Sequence, residues 1–338
     1  MKCIVCQEPK RFVKKDVPIP TRQPGEALVR ILRIGICGTD IHAFHGNQPY
    51  FTYPRVLGHE LAGVIEEMDS DSDLSVGDQV AVIPYLHCGT CVACRNGKTN
   101  CCVNMRVLGV HADGGMAEFI TVPTSHLIRT NGFSLEQSVI LEPLSIGAHA
   151  VRRSGLAAGQ TALVIGAGPI GLGTMLFAKQ RGARVIAMDI DHARLEVCHA
   201  FARVDATVDA RMRPWETLAA LTNGEFPWVV FDATGNAESM AAAIQAVAHG
   251  GTLVYVGLVN GEIRVSDPEL HKRELTLMGS RNATREDFEL VLHAVAKGFV
   301  DVNRYITHRV AFDDFIDTFA DWINRKACVI KAVIQLCS

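Results

Sequence analysis

Apolar and polar positions follow two different rhythms along this chain. Residues 1 to about 147 carry short β-type runs at 27–32, 63–65 and 79–83, separated by turn signals such as Pro24-Gly25 and Gly77-Asp78. Short apolar runs punctuated by Gly and Pro predict an irregular, mostly antiparallel β domain. From about 148 to 283 the rhythm changes. Strands are predicted at 162–165, 184–188, 206–208, 228–231, 252–256 and 275–278, with helical stretches at 170–181, 193–201 and 237–248. Gly182 sits where the first helix needs a residue free to turn left-handed. Strands alternating with helices predict a parallel, doubly wound sheet. Residues 284–338 open with a helix at 285–297 and return to β texture at 329–336, so the chain is expected to go back and complete the first domain. The fold class is α/β: a β-rich domain from 1–147 and 284–338, and a doubly wound domain from 148–283.

Composition agrees with this division and removes some functions. A chain of 338 residues, 48% hydrophobic, can bury about two domain cores. Its net charge of -3 is a poor footprint for a nucleic-acid binder, which needs a basic stripe. Residues 161–178 carry no charge, but Gly166, Gly168, Pro169, Gly171 and Gly173 break them into strand, turn and helix start, so no transmembrane segment is expected. Residues 1–11 lack the apolar stretch of a signal peptide. Of eleven cysteines, Cys3, Cys6, Cys101, Cys198, Cys328 and Cys337 follow no disulfide spacing, which points to a reducing, cytoplasmic setting.

Cys88, Cys91, Cys94 and Cys102 form the run Cys-x2-Cys-x2-Cys-x7-Cys. Four thiols within fifteen residues, so spaced, predict a closed tetrahedral zinc site that folds a lobe at 88–102. Cys101 beside Cys102 leaves the fourth ligand open by one residue. The predicted strand at 162–165 runs into Gly166-x-Gly168-Pro169-Ile170-Gly171, a tight strand-to-helix turn that brings backbone N–H groups and the positive end of the helix to a pyrophosphate. Asp189, at the end of the next strand, is placed to accept hydrogen bonds from a ribose and to repel a 2′-phosphate, which favours NAD over NADP. Arg194, five residues on, is a weaker cofactor candidate that also reads as a surface helix residue. Thr234, Val256 and Gly257 bring small or apolar residues to later strand ends, where a dinucleotide lies.

In the first domain, Cys37, His59 and Glu142 offer a thiolate, an imidazole and a carboxylate. Three protein ligands with one open position is the arrangement of a catalytic zinc. Glu60, beside His59, is expected either to orient the site or to enter the coordination sphere. Taken in order, Gly58-His59-Glu60, the four-cysteine lobe, Asp113-Gly114-Gly115-Met116-Ala117-Glu118 and the glycine-rich turn resemble the zinc-dependent medium-chain alcohol and polyol dehydrogenases over essentially the whole chain. Glu142 in a ligand position resembles the sorbitol dehydrogenase branch. Residues 46–51, 110–115, 266–272 and 279–284 resemble its bacterial sugar-acid dehydrogenases.

The resemblance implies a GroES-like catalytic domain, a Rossmann domain, a cleft between them, two Zn2+ per subunit, NAD, and a homodimer or homotetramer. It implies oxidation of a secondary alcohol on a hexonate of the L-galactonate type, with Thr39 and His42 relaying the proton. A substrate carboxylate needs a cation, for which Arg281 is the first candidate and Lys272, Arg273 and Lys331 are rivals; Glu118 is carried as a further substrate-side residue. A neutral polyol such as sorbitol or galactitol, or L-threonine, is the alternative substrate. A non-catalytic zinc and dinucleotide sensor is the alternative class, and the intact Cys37, His59 and Glu142 speak against it.

Overall fold

The computed structural model describes residues 1–69, 73–323 and 329–336. Cys328 and Cys337 fall outside them. The chain forms two compact units, Met1–Glu142 with Ala283–Ser338, and Pro143–Asn282.

The first unit is built on a seven-stranded sheet. Its order is Leu127–Arg129, Gln79–Val82, Glu60–Glu67, Glu26–Ile36, Lys331–Gln335, Ile306–Ala311, with Phe119–Pro123 also pairing along Glu26–Ile36. The pairs are antiparallel except Ile306–Ala311 on Lys331–Gln335, which is parallel. Residues that alternate along these strands meet in one core. Val29, Ile31 and Ile34 pack with Leu61, Ile65, Val80, Val82 and the aromatic ridge Phe312, Phe315 and Phe319. Ala332 and Ile334 join the same core, so the late strand closes a sheet begun near the N-terminus.

The second unit holds a six-stranded parallel sheet in the order Ala206–Asp209, Arg184–Asp189, Thr161–Ile165, Val229–Asp232, Thr252–Tyr255, Thr276–Gly279. The strand order reverses between Thr161–Ile165 and Val229–Asp232, the switch point at which open α/β sheets bind ligands beyond their carboxyl ends. Leu163, Ile186, Val230 and Leu253 lie on one buried face.

Two expected helices differ in kind. The stretch at 193–201 is α-helical only over His192–Val197 and then widens into a π-turn, Cys198–Ala202, ended by left-handed Arg203. The stretch at 237–248 tightens from α-helix, Ala237–Ala242, to 3-10 helix, Ala243–Ala246. Helices at Leu141–Ser154, Pro214–Leu221 and Asp267–Lys272 had no place in the sequence reading. Among the described residues, no helix is long and apolar enough to cross a membrane.

Candidate functional site

The four-cysteine lobe converges as its spacing predicts. Cys91 starts the short helix Val92–Arg95, which places Cys94 one turn on. The Sγ atoms of Cys91 and Cys94 are 3.5 Å apart, those of Cys91 and Cys102 3.9 Å, and those of Cys88 and Cys102 3.5 Å. Zinc–sulfur bonds of about 2.3 Å require S···S edges of about 3.8 Å in a tetrahedron, so the cage fits zinc. Cys102 is buried within the group, whereas Cys101 is exposed outside it, which settles the one-residue ambiguity by position. The Thr90 backbone N–H and hydroxyl, with the N–H of Cys91, lower the pKa of the Cys88 thiol to about 5, which favours the thiolate a metal needs.

A second group forms where the strand Glu26–Ile36 ends. Cys37 caps the helix Gly38–His45, and its backbone N–H donates to Asp40 Oδ2 at 2.9 Å. The Gly58 N–H donates to the other Asp40 oxygen at 3.3 Å, which ties the segment before His59 to the same carboxylate. The Sγ of Cys37, a ring nitrogen of His59 and a carboxylate oxygen of Glu60 lie within 4.8 Å of one another. His59 Nδ1 is buried with no hydrogen-bond partner and stands 3.9 Å from Asp40 Oδ1. At that distance the carboxylate makes no hydrogen bond to the ring and acts on it through its charge.

Glu60 owes its position to a missing side chain. It lies opposite Gly35 in the antiparallel pair, and a Cβ on Gly35 would stand 1.9 Å from Glu60 Oε2. Both Glu60 oxygens accept hydrogen bonds from Lys331 Nζ, at 2.6 and 2.8 Å, and the same ammonium donates to the Ile36 carbonyl at 3.1 Å. Both side chains are buried. Glu142 is buried beside this group, and its carboxylate accepts the hydroxyl hydrogen bond of Tyr85.

The charges are unbalanced for an apolar pocket. Burial and the neighbouring Glu60 push Glu142 up to about 7, while His59, Tyr85 and Lys331 pull it down. Burial would lower His59, but Cys37, Asp40 and Glu142 outweigh it and carry its pKa well above the ordinary range. One thiol and three carboxyl groups thus share two nitrogen bases, a donor set that suits a divalent cation. Of the four expected residues, Cys37, His59 and Glu60 form one tight donor group, with Glu142 buried beside them. The spacing of Glu60 in the sequence could not show that Gly35 makes room for it.

In the second unit, Gly166 is left-handed at φ 97°, and a Cβ on Gly171 would stand 1.8 Å from the Gly166 carbonyl. Gly168 caps the helix Pro169–Gln180, whose first residues Pro169 and Ile170 are half-buried. Asp189 accepts the Ala167 N–H at 2.6 Å and the Asp191 N–H at 2.9 Å, one on each oxygen. It therefore braces the glycine-rich turn, and each oxygen keeps a lone pair. Thr234 donates from its N–H and hydroxyl to Asp232, at 2.9 and 2.6 Å. Val256 and Gly257 both donate to the Asp232 carbonyl, and a Cβ on Gly257 would stand 2.4 Å from Gly235 N. Arg194 is a surface residue on the helix His192–Val197, 4.0 Å from Asp191.

Other expected residues scatter. Thr39 is half-buried and His42 exposed, three residues apart on the helix Gly38–His45. Arg281 is exposed two residues beyond the strand Thr276–Gly279. Lys272 is exposed, 4.0 Å from Glu269. Glu118 accepts the Lys2 N–H at 2.6 Å. Two rival cations are corrected: Arg273 is spent on Glu269 and on the carbonyls of Gln245 and Val247, and Lys331 is buried on Glu60. Neither is available to a substrate. Asp40 and Tyr85 received no role from the sequence; Asp40, three residues after Cys37, carried the spacing of a helix-capping carboxylate.

Comparison with known proteins agrees with this geometry. Residues 23–132 match the alcohol dehydrogenase GroES-like domain, and residues 169–297 match the zinc-binding dehydrogenase domain. The chain is 45% identical to L-galactonate-5-dehydrogenase of Escherichia coli K12, over 99% of this chain and 98% of that one. It is 34% identical to D-altritol 5-dehydrogenase of Agrobacterium fabrum, over 94% and 95% of the two chains. A solved structure of an alcohol dehydrogenase from Escherichia coli CFT073, complexed with NADH, superposes with a TM-score of 0.92 at 30% identity, covering 99% of each chain.

Proposed function

The chain belongs to the zinc-binding alcohol dehydrogenase family, and from that premise we propose that it oxidises a secondary alcohol of a sugar acid, a hexonate of the L-galactonate type, with NAD. The observation that carries the dehydrogenase chemistry is the Cys37–His59–Glu60 donor group with Glu142 beside it. The substrate class rests on the end-to-end likeness to the Escherichia coli enzyme, and the D-altritol enzyme supports a polyhydroxylated substrate more generally.

In this reading, residues 1–147 and 284–338 are the catalytic domain and 148–283 the cofactor domain, in a cytoplasmic homodimer or homotetramer. Cys88, Cys91, Cys94 and Cys102 hold the structural zinc. Cys37, His59 and Glu60 would hold the catalytic one, with Glu142 as the fourth group of the site. When bound there, zinc supplies a Lewis acid that lowers the pKa of the substrate hydroxyl. Asp40 holds Cys37 and the segment before His59 together through its two backbone hydrogen bonds, and the Tyr85 hydroxyl fixes the Glu142 carboxylate. Thr39 and His42 lie on one helix face and pass the hydroxyl proton outward, His42 at the solvent end. Gly166, Gly168, Pro169, Ile170 and Gly171 take the pyrophosphate, and Asp189 accepts the ribose hydroxyls with its remaining lone pairs. Arg281 is the cation for the substrate carboxylate.

The test is NAD reduction by the zinc-loaded enzyme on L-galactonate, other hexonates, sorbitol, galactitol and L-threonine. A kcat/KM for one hexonate at least tenfold above every neutral polyol is expected. Preference for a neutral polyol or for threonine would overturn the substrate reading. Arg281→Ala should raise the hexonate KM and leave kcat nearly unchanged.

A further inference from the structure

Beside Asp189 stands a second carboxylate. Asp209 ends the neighbouring parallel strand and is the register partner of Asp189, and the Ala210 N–H donates to the Asp189 carbonyl at 3.0 Å. Adjacent strands lie about 4.8 Å apart, so Asp209 flanks the place where an adenosine ribose is read.

An arginine and a histidine meet there. Arg211 holds Asp209 as a fork, Nε to Oδ1 at 3.0 Å and a terminal nitrogen to Oδ2 at 2.8 Å, and its backbone N–H adds a third bond at 2.9 Å. His192 Nε2 lies 3.0 Å from Asp209 Oδ2. The carboxylate is largely covered, while the side chains of Arg211 and His192 remain 56% and 74% exposed. Asp191, one residue before His192, also feels the Arg211 charge. The Arg211 hydrogen bonds, foremost among the causes, hold Asp209 far below the usual carboxylate range, so it remains an anion at any working pH.

An arginine near this strand end is what a dinucleotide-binding sheet uses to accept a 2′-phosphate. This chain carries that arginine, and a histidine with it, but ties both to a carboxylate. We propose that Asp209 is a specificity-determining residue for the cofactor: by occupying Arg211 and His192 it withholds the donors a 2′-phosphate would need. The proposal rests on the reading that the chain binds NAD, and it moves part of the discrimination from Asp189 to the next strand. Asp189 repels the phosphate; Asp209 removes its attractors. Asp209 is a positioning residue in this scheme, acting through Arg211 and His192.

The experiment is isothermal titration of NAD+ and NADP+ into the zinc-loaded protein, which needs no knowledge of the alcohol. In Asp209→Asn, and in Asp209→Ser as a second variant that keeps an acceptor for the Arg211 N–H, the ratio of Kd for NAD to Kd for NADP should move toward NADP. A shift of about fivefold or more is expected, the scale of one or two half-exposed charge-assisted contacts. Adding Arg211→Ala and His192→Ala should abolish the gain. A folded Asp209 variant with an unchanged ratio overturns the proposal, as does a gain that survives loss of both side chains. Failure of both Asp209 variants to fold would make the residue structural and overturn it too. The wild-type ratio is read separately: a native preference for NADP sinks the NAD reading, whereas Asp209 is judged only on the change from that ratio.

Discussion

Gly35→Ala places one methyl group where the structure leaves no room. The new Cβ would stand 1.9 Å from Glu60 Oε2, 2.8 Å from Glu60 Cβ and 3.0 Å from its carboxyl carbon. A mobile side-chain end elsewhere would swing aside at little cost. Here the carboxylate is held at 2.6 and 2.8 Å by a lysine that is itself buried and also donates to the Ile36 carbonyl. Displacing Glu60 therefore leaves a buried ammonium without its counter-ion, a loss of about 3–5 kcal/mol. With a urea dependence of about 2 kcal/mol per molar, the unfolding midpoint should fall by roughly 2 M. The assay is urea denaturation followed by Trp322 emission in a protein whose two other tryptophans, Trp215 and Trp228, are replaced by Phe. Lys331→Met acts on the same carboxylate, so the double variant should cost at least about 2 kcal/mol less than the sum of the single ones. A Gly35→Ala cost under about 1 kcal/mol, or strict additivity with Lys331→Met, would refute the claim that this glycine exists to seat the ion pair.

Three further outcomes can be measured. Asp40→Ala should weaken zinc retention by about 10- to 100-fold in a chelator competition, because Cys37 and the segment before His59 lose the carboxylate that ties them together; retention equal to wild type would remove Asp40 from the site. Cys102→Ser should halve the zinc content measured by mass spectrometry, whereas Cys101→Ser should leave it intact, and the reverse result would contradict the packing of the lobe. Burial, then His87, lowers His126 to about 4, so the unfolded chain takes up this proton first. Stability from this group is full above pH 6.5 and declines as the pH falls toward 4, by roughly 3 kcal/mol in all. His126→Gln should flatten that part of the pH profile, and an unchanged slope would count against it.

The parts of the molecule legible in the sequence are those whose chemistry is local. Four thiols within fifteen residues, or three glycines between a strand and a helix, state their geometry in adjacent positions. The parts that were not legible depend on partners brought from afar. Lys331 read as a spare cation because its partner is 271 residues away. Whether Glu60 reaches Cys37 and His59 could not be read, since only its pairing with Gly35 shows the room it occupies. Helix 193–201 was legible as an element but not in its winding. Apolar spacing marks a buried face, and Cys198, Phe201 and Ala202 keep theirs buried through a π-turn as well as through an α-turn. The Arg211–Asp209 fork was invisible because two residues apart on a chain says nothing of which strand end they share with Asp189.

The Glu60–Lys331 tie also imposes an order of assembly. A ribosome makes Glu60 long before Lys331, and the whole of Pro143–Asn282 is synthesised between them. Until the strand Lys331–Gln335 docks on Glu26–Ile36, the Glu60 carboxylate has no ammonium to meet, and that part of the sheet cannot close over it without burying a bare charge. A nascent or prematurely terminated chain lacking that strand thus carries an open seam at its metal-binding group.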